Sequence, residues 1–458
     1  MQIPLPLRSN PGAYKYLGKP KLINGYAEIG GEDNKTITAL LPHKGMEAFS
    51  LEMGGPCRGG IYIDEDAALY TVQGGQLYKT ISDGTFTTVA AIGGSGAVRF
   101  ARNDAETELI VAVTSAAAFK LSSGDLLYLN YEFTPVDVAY LRGRFVYVLA
   151  DGKFWWTDIN STNVDGLSFA TAEADPDGLV AAAALDDLYL IGSETTEVWA
   201  VTTNPDAPYA PVGGTYLRIG CAAKHSVQKF NNALAWIGHD DVAYLVRGYT
   251  ETPFSSNEVS RLIASDPDKA NIVAWTYEIG ENKFYVLKGS NWCREYNAKT
   301  GFWSDRVSGT DDNWRAQHAF TAFGKTIVGD SLTGKLFASH GFHEDGNELL
   351  WGFDTPIIHS APDGLVFNSI YLDMQGGVGD NTTTEPKVML SWSDDQGDNY
   401  SIERQLDLGA KGKPNTRLRS RRMGKCGESG RVFRVRISDP VQRSISSIDV
   451  QADKVSLL

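Results

Sequence analysis

One feature constrains the fold of this chain most: a short apolar strand recurs at a nearly regular spacing. Seven four-residue segments of this kind begin 36 to 50 residues apart. They are Leu69–Val72, Leu109–Ala112, Phe145–Val148, Leu188–Ile191, Leu234–Ile237, Phe284–Leu287 and Thr326–Gly329. Most precede a polar turn and a second short strand with an aromatic residue, such as Thr196–Trp199. A repeat of about 40 residues with several short strands is typical of β-propeller blades.

The repeat predicts an all-β chain whose main part is a β-propeller. Six or seven blades are both open, because the first and last units are the least regular. We expect the apolar segments to be among the innermost strands, since a continuous apolar strand suits burial on both faces. The pattern stops near Phe353. We therefore predict an N-terminal arm at residues 1–40, a propeller at 41–355 and a β-sandwich-like domain at 356–458.

Charge divides near the same boundary. The chain has 458 residues, 42 of them basic and 56 acidic, for a net charge of −14. Between Arg404 and Arg443, twelve basic residues stand against three acidic ones, so this basic segment carries +9 and the rest carries −23. Such an acidic chain is not expected to wrap nucleic acid through broad phosphate contacts, which need basic surface.

The basic segment contains a regular alternation. Arg417, Arg419 and Arg421 alternate with Leu418 and Ser420, so an extended chain would place the three arginines on one face. Two interpretations of this arginine alternation remain open: a solvated strand face, or an interface. An interface is possible because a guanidinium pairs with carboxylates on a partner as well as with phosphates. In a further predicted strand, Arg434 and Arg436 alternate with apolar residues. This alternation predicts that the two arginines also lie on a solvated face. The hypothetical interface residues are Arg417, Arg419, Arg421, Arg422, Arg434 and Arg436.

A second motif resembles the Asp-box turn found in sialidases and other propellers. Ser393, Asp395, Gly397 and Tyr400 occupy its characteristic positions. The carboxylate of such a turn accepts backbone N–H groups, the glycine takes a positive φ and the aromatic ring packs beneath. A structural turn is favoured over a glycosidase site, because the single motif lies outside the repeats. A calcium loop beginning at Asp394 is disfavoured, because its twelfth position is glutamine rather than glutamate.

Other candidate sites are weak. His340 and His343 have the wrong spacing for a helical zinc site. The four cysteines are far apart and are expected to be buried free thiols. No nucleophile elbow or phosphate loop is present. We therefore assign no catalytic, cofactor-binding or metal-binding residue and predict that the protein is not an enzyme. No apolar run reaches 18 residues, which argues against a membrane-spanning helix.

Nine short motifs follow one another along nearly the whole chain. They are Leu22–Glu28, Arg58–Gly60, Leu69–Tyr78, Pro135–Phe145, Ala172–Asp177, Glu194–Trp199, Gly220–Ala223, Ser391–Asp395 and Gly412–Arg422. In this order they resemble the packaged-DNA-stabilisation, or tail-hub, proteins of short-tailed bacteriophages. The segment Pro135–Phe145 is the most specific of them. Ala27 departs from the family pattern, in which proline is usual at that place.

The resemblance implies a structural protein of the virion tail, assembled in the host cytoplasm. It implies a homo-oligomeric ring, of six copies, below the portal-adaptor complex. The ring would retain packaged DNA, form the ejection channel and anchor tailspike, fibre or needle proteins. It implies no catalytic residue and no cofactor, and an acidic lumen would let DNA slide without sequence-specific binding.

Two alternative functions stay open. One is a propeller glycosidase or depolymerase, which would need convergent carboxylates about 5 to 10 Å apart. The other is a host-receptor-binding module.

Overall fold

The structure is a computed structural model whose regular elements are almost all β-strands. It describes residues 2–14, 17–30, 37–103, 110–115, 117–122, 124–172, 175, 177–378, 383–412 and 417–456. The strands before the first blade are β1 (Gln2–Ile3), β2 (Lys21–Ile23), β3 (Gly25–Ile29), β4 (Thr38–Pro42) and β5 (Met46–Ala48). The described helices are α1 (Asn257–Ser265) and the 3-10 turns Lys224–Ser226 and Lys269–Asn271. None of these is long and apolar enough to span a membrane.

Seven four-stranded antiparallel units in the described chain form the blades of the propeller; five of them are separate sheets, and those of blades 6 and 7 belong to larger sheets. Blades 1 and 2 contain β6 (Cys57–Ile63), β7 (Ala68–Gln73), β8 (Gln76–Thr80), β9 (Phe86–Ala91), β10 (Arg99–Arg102), β11 (Ile110–Val113), β12 (Ala118–Ser122) and β13 (Asp125–Leu129). Blades 3 and 4 contain β14 (Asp137–Leu141), β15 (Arg144–Val148), β16 (Lys153–Trp156), β17 (Phe169–Thr171), β18 (Leu179–Ala184), β19 (Leu188–Gly192), β20 (Thr196–Val201) and β21 (Tyr209–Pro211). Blades 5 and 6 contain β22 (Gln228–Phe230), β23 (Ala233–Ile237), β24 (Ala243–Arg247), β25 (Thr250–Pro253), β26 (Val273–Ile279), β27 (Asn282–Lys288), β28 (Cys293–Asn297) and β29 (Phe302–Asp305).

The seventh blade is completed from the other end of the chain. Its own strands are β30 (Ala316–Ala322), β31 (Lys325–Asp330) and β32 (Leu336–Ser339). Its fourth strand is β5, which pairs antiparallel with β32, so that Ala48 lies opposite Phe337. A hairpin of β33 (His343–Glu344) and β34 (Asn347–Glu348) continues this sheet. The predicted all-β propeller is confirmed, and seven blades can be counted in the described chain.

The innermost strands differ from the prediction. The first strand of each blade lies nearest the axis, where β14 contacts both β10 and β18. Blades converge there and leave room mainly for small residues, such as the alanines at 181–184 of β18. A Cβ on Gly59 would lie 2.7 Å from the carbonyl oxygen of Val98. The predicted apolar segments are instead the second strands, where the wider gap accepts large side chains. Of these segments, Leu109 lies outside the described residues.

The C-terminal part is a sandwich of two sheets. Its strands are β35 (Trp351–Asp354), β36 (Gly364–Met374), β37 (Lys387–Ser393), β38 (Arg404–Asp407), β39 (Leu418–Cys426), β40 (Val432–Ile437) and β41 (Ile445–Val455). Sheet I has the order β3-β4-β41-β36-β39, with β1 also paired to β41, and sheet II has the order β2-β35-β40-β37-β38. A continuous apolar core that includes Trp351, Phe367, Leu390 and Phe433 fills the space between them.

Residues near the start of the chain are part of this sandwich. Strands β1, β3 and β4 belong to sheet I, and β2 belongs to sheet II. The strand β2 also pairs in parallel with β29 of blade 6, through Ile23 and Asp305. The sandwich and the propeller are therefore joined by a shared sheet as well as by the chain.

Candidate functional site: an exposed arginine face on the sandwich

The predicted arginine alternation falls on β39, an edge strand of sheet I. In the described chain, β39 pairs only with β36. Leu418 and Ser420 are buried, whereas Arg419 and Arg421 are exposed, and Arg417 is exposed just before the strand. Charged side chains on an edge strand oppose unwanted strand pairing. We call Arg417, Arg419, Arg421 and Arg422 the arginine face.

Two members of the arginine face share an aromatic support. The guanidinium groups of Arg417 and Arg419 each lie 4.7 Å from the ring centroid of Tyr371. Tyr371 is on β36 and stands in register with Arg419 on one side and Asp449 of β41 on the other. Arg417 also donates to the Asp449 carboxylate at 2.7 Å. These contacts attach both guanidinium groups to the Tyr371 ring through cation–π interactions.

The strand bulges after Arg421, so the next arginine is also exposed. Arg422 has a positive φ of 56°, and both residues are exposed. Arg404 of β38 donates to the backbone carbonyl oxygens of Arg421, at 2.6 Å, and Arg422, at 3.1 Å. Arg404 thereby satisfies edge carbonyls and fixes the bulge, while the guanidinium groups of Arg421 and Arg422 remain exposed.

The structure separates Arg434 and Arg436 from the arginine face. Both are on β40, the central strand of sheet II, and both pair with Asp354. Arg436 is only 8% exposed, so its predicted solvated position is corrected. Although burial favours the neutral acid, the two guanidinium groups hold the pKa of Asp354 below its ordinary value. Arg434, Arg436 and Asp354 therefore form a charge cluster within the sandwich.

The Asp-box-like turn is joined to this cluster. The Asp395 carboxylate accepts the backbone N–H of Asn399 at 2.8 Å, and the Ser393 hydroxyl accepts that of Gly397 at 2.8 Å. Gly397 has a φ of 96°. The backbone N–H of Asn399, together with side-chain donors, lowers the pKa of Asp395 to about 2. The Tyr400 hydroxyl donates to Asp354 at 3.3 Å, so the turn supports the buried pair.

Sequence reasoning missed a nearly fully buried arginine of the basic segment. Arg431 is 1% exposed and donates to the Asp394 carboxylate at 2.6 and 2.8 Å. Its guanidinium also lies over the rings of Phe367 and Trp392. The Asp394 carboxylate therefore forms an ion pair with Arg431, although its position in the sequence also resembled the start of a calcium loop. The sequence did contain a signal for this contact in the partner residue, because Asp394 belongs to the Asp-box-like turn, whose geometry could be predicted.

Other candidate groups are held in local contacts. No group of three or more metal-ligating side chains occurs among the residues that the structure describes. His340 pairs with Glu47 at 3.0 Å on the surface, and His343 is exposed. The four cysteines are buried and unpaired. Burial raises the pKa of the Cys57, Cys221 and Cys293 thiols to about 12, which makes them poor nucleophiles.

Comparison with known proteins covers both domains. A family model described as "Bacteriophage P22 Gp10, beta-propeller" matches residues 33–339, and one described as "Bacteriophage P22 Gp10, beta-sandwich" matches residues 350–453. The chain belongs to the bacteriophage P22 Gp10 family. The predicted resemblance to tail-hub proteins is confirmed by these matches and by a relative, the tail hub protein gp10 of Salmonella phage P22.

This Gp10 relative is distant. It is 24% identical over 300 residues, which cover 57% of this chain and 61% of the relative. The match thus spans less than two thirds of the relative's length. Among solved structures, the RRP9 WD40 repeats are 12% identical, with a TM-score of 0.44, and cover 65% of this chain and 99% of that one. The WD40 propeller domain of Doa1 is 12% identical, with a TM-score of 0.42, and the match covers 64% of this chain and 96% of that one.

Proposed function

We propose that this Gp10 family member is a structural hub of a short-tailed phage tail, in which copies of the chain form a ring through the arginine face. Its location in the virion tail follows from family membership. The ring, of six copies, lies below the portal-adaptor complex, retains packaged DNA and anchors tailspike, fibre or needle proteins.

One observation carries the interface: three exposed arginines have no carboxylate partner in the described chain. They are Arg419, Arg421 and Arg422. In the same domain, Arg431, Arg434 and Arg436 each pair with a carboxylate. The basic segment is +9 on a chain that is otherwise −23. A second copy of the chain therefore offers abundant acidic surface, and bidentate guanidinium–carboxylate pairs would join the two.

DNA would pass between the copies rather than along the axis of a propeller. Arg99 crosses that axis from blade 2 and donates to the carbonyl oxygen of Val227, beside blade 5, at 3.1 Å. The open cavity at the axis is about 500 Å³, the size of a small-molecule site. A lumen between acidic copies would repel phosphate and let the duplex slide.

The lining of this cavity bears on the glycosidase alternative. A glycosidase needs two carboxyl groups that face one another across the substrate. Asp186 is the acidic residue in the described lining of the axial cavity. One carboxylate alone does not make a glycosidase pair, so the axial cavity does not support the glycosidase alternative.

The test reverses the charge of the unpartnered arginines. In the variant Arg419→Glu, Arg421→Glu, Arg422→Glu, the dissociation constant of the ring should rise about a hundredfold or more, because desolvated charge pairs contribute a few kcal/mol. Analytical ultracentrifugation at several protein concentrations measures this. Arg417 is left unchanged because it already binds Asp449. Wild-type assembly should also weaken as salt rises.

The control is Lys153→Glu, Lys283→Glu, Lys299→Glu, which changes the net charge equally at solvent-accessible blade lysines, each paired with one carboxylate of the same chain. Circular dichroism should show that both triple variants are folded. If the arginine variant assembles like wild type and loses only DNA affinity, the arginine face contacts nucleic acid and the interface proposal is wrong.

A further inference from the structure

The outer edges of the blades are protected to different degrees. A strand at a sheet edge presents unpaired backbone N–H and C=O groups, and natural proteins cover such edges, shorten them or place bulges, prolines or charges on them. In blades 6 and 7 the edges are covered, because β29 pairs with β2 and β5 pairs with β33. In blades 3, 4 and 5 the outer strands have only three or four residues, and those of blades 4 and 5 end in Pro211 and Pro253. In blade 1 the pairing of β8 with β9 contains a register shift.

The outer strand of blade 2, β13, lacks these protections. It has five residues, contains no proline and pairs with β12 without a register shift. Among the strands that the structure describes, it pairs with β12 alone. Its one charged residue, Asp125, stands at its beginning. Leu127 is 53% exposed and Tyr128 is 61% exposed. The edge of β13 is therefore both open and largely apolar.

The register of blade 2 shows which backbone groups of β13 face outward. The backbone N–H of Thr114 donates to the carbonyl oxygen of Ala117 at 3.0 Å, so this pair closes the β11–β12 turn with a hydrogen bond. Hydrogen-bonded and non-bonded pairs alternate along an antiparallel ladder, and each residue directs its N–H and its C=O to the same side. When this alternation is followed through the pairings of β12, Leu127 is bonded to β12. The N–H and C=O groups of Leu126 and Tyr128 consequently point away from the blade.

Two carboxylates frame this open edge. Asp125 begins β13, Glu132 follows its last residue by three positions, and both side chains are exposed. Neither carboxylate has an ion-pair or hydrogen-bond partner within the part of the chain that the structure describes. The position of Glu132 is fixed by its neighbours, because the rings of Tyr131 and Phe133 stack at 5.0 Å and the Tyr131 hydroxyl donates to the carbonyl oxygen of Thr162 at 2.6 Å. An occupant of this edge would therefore meet a negative charge at each end.

We infer that β13 binds an extended segment of a partner protein, which adds to blade 2 as a further strand. The outward N–H and C=O groups supply the backbone hydrogen bonds, and Leu127 and Tyr128 contact alternate apolar side chains of the segment. A basic residue at each end of the segment pairs with Asp125 and with Glu132. A second copy of β13 is a poor occupant, because this strand has no basic residue to offer these carboxylates. The site belongs to the propeller and is separate from the arginine face of the sandwich.

The test uses the full chain and a labelled peptide, fluorescein-Lys-Val-Thr-Val-Thr-Val-Lys-amide, whose binding is measured by fluorescence anisotropy. The same peptide N-methylated at two adjacent central residues cannot pair through either of its edges. It should bind at least about tenfold more weakly, because the backbone hydrogen bonds supply the affinity. A peptide with glutamate in place of both lysines should also bind at least about tenfold more weakly at low salt, where charge pairing is least screened.

Two pairs of protein variants locate the peptide. Tyr128→Pro removes an outward N–H without removing a bond to β12 and should raise the dissociation constant at least about tenfold. Tyr128→Ala removes the same ring but keeps the N–H, so it should bind more tightly than the proline variant. Leu127→Lys should weaken binding at least about tenfold, whereas Thr87→Lys makes the same change in charge at an exposed residue of β9 and should bind like wild type. Circular dichroism should show that all four variants are folded.

Several results would overturn the strand-addition proposal. It is wrong if millimolar peptide does not bind, or if the N-methylated peptide binds like its parent. It is equally wrong if Leu127→Lys binds the peptide like wild type, or if Thr87→Lys weakens binding as much as Leu127→Lys does. Sedimentation velocity separates a different occupant: if Leu127→Lys reduces self-association of the chain and leaves peptide binding unchanged, a second copy covers this edge. Loss of ring assembly in the arginine-face variant should leave peptide binding unchanged, so the two proposals can fail independently.

Discussion

In the propeller, the strands buried between blades carry large apolar side chains, whereas in the sandwich a buried strand carries arginines. The second strand of blade 4, β19, consists of Leu188–Gly192 and is buried throughout. The central strand of sheet II, β40, has Phe433 and Val435 toward the core but Arg434 and Arg436 on its other face. The first arrangement depends on packing, and the second depends on the carboxylate of Asp354.

This difference predicts different weaknesses. Apolar packing loses free energy in proportion to the atoms removed and the cavity left. A buried ion pair contributes little net stability compared with apolar residues, but removal of one partner leaves an uncompensated charge. A single carboxylate should therefore matter to the sandwich at least as much as a buried leucine matters to a blade.

The largest effect is expected for Asp354→Ala. The substitution leaves Arg436 buried without its carboxylate, so the free energy of unfolding of the sandwich should fall by about 3–5 kcal/mol. Hydrogen exchange read by mass spectrometry should show faster exchange in β37 and β40, while blades 2 to 4 are unchanged. The control Asp407→Ala removes an exposed partner of Lys387 and should cost less than about 1 kcal/mol. Equal effects of the two substitutions would contradict the comparison.

A somewhat smaller effect is expected for Leu190→Ala in blade 4. Leu190 is 1% exposed, and its truncation should cost about 3 kcal/mol. Faster exchange should appear in blades 3 and 4 and not in the sandwich, and the loss should be the same at pH 7 and pH 4. A loss that depends strongly on pH would show that blade stability is not governed by packing alone.

The smallest effect is the acid dependence of wild type. The pKa of Asp354 is lowered in the folded state, so its stabilisation is complete above the ordinary Asp pKa of about 4 and is lost as pH falls through the lowered value. Methyl resonances of Ile437 and Ile191, followed in urea at pH 6 and pH 3, report on the two domains. The sandwich should lose stability between pH 6 and pH 3, and Asp354→Asn should make this loss smaller. The same slope in wild type and variant would exclude Asp354 as its cause.

The same contrast explains what the sequence could predict. Apolar repeats predicted the propeller because the second strands, such as β19, are buried in a way that is visible locally. The inner strands escaped notice because convergence at the axis selects small residues, as in β18, rather than an apolar pattern. The alternation in β40 indicated its core face correctly. The burial of Arg436 could not be predicted, because its partner Asp354 is 82 residues away and no local pattern links the two.

The strand pairings near the start of the chain also set an order of events during synthesis. Gln2 of β1 lies opposite Asp449 of β41, and β5 completes a blade whose other strands begin at Ala316. At a translation rate of about 5–20 residues per second, roughly 20 to 90 seconds separate the synthesis of β1 from that of its partner β41. Blades 1 to 6 can form as they emerge from the ribosome, but both ring closure and the sandwich must wait. The arginine face lies on a strand that follows all seven blades in the chain, so it becomes available for assembly only after the blade strands have been synthesised.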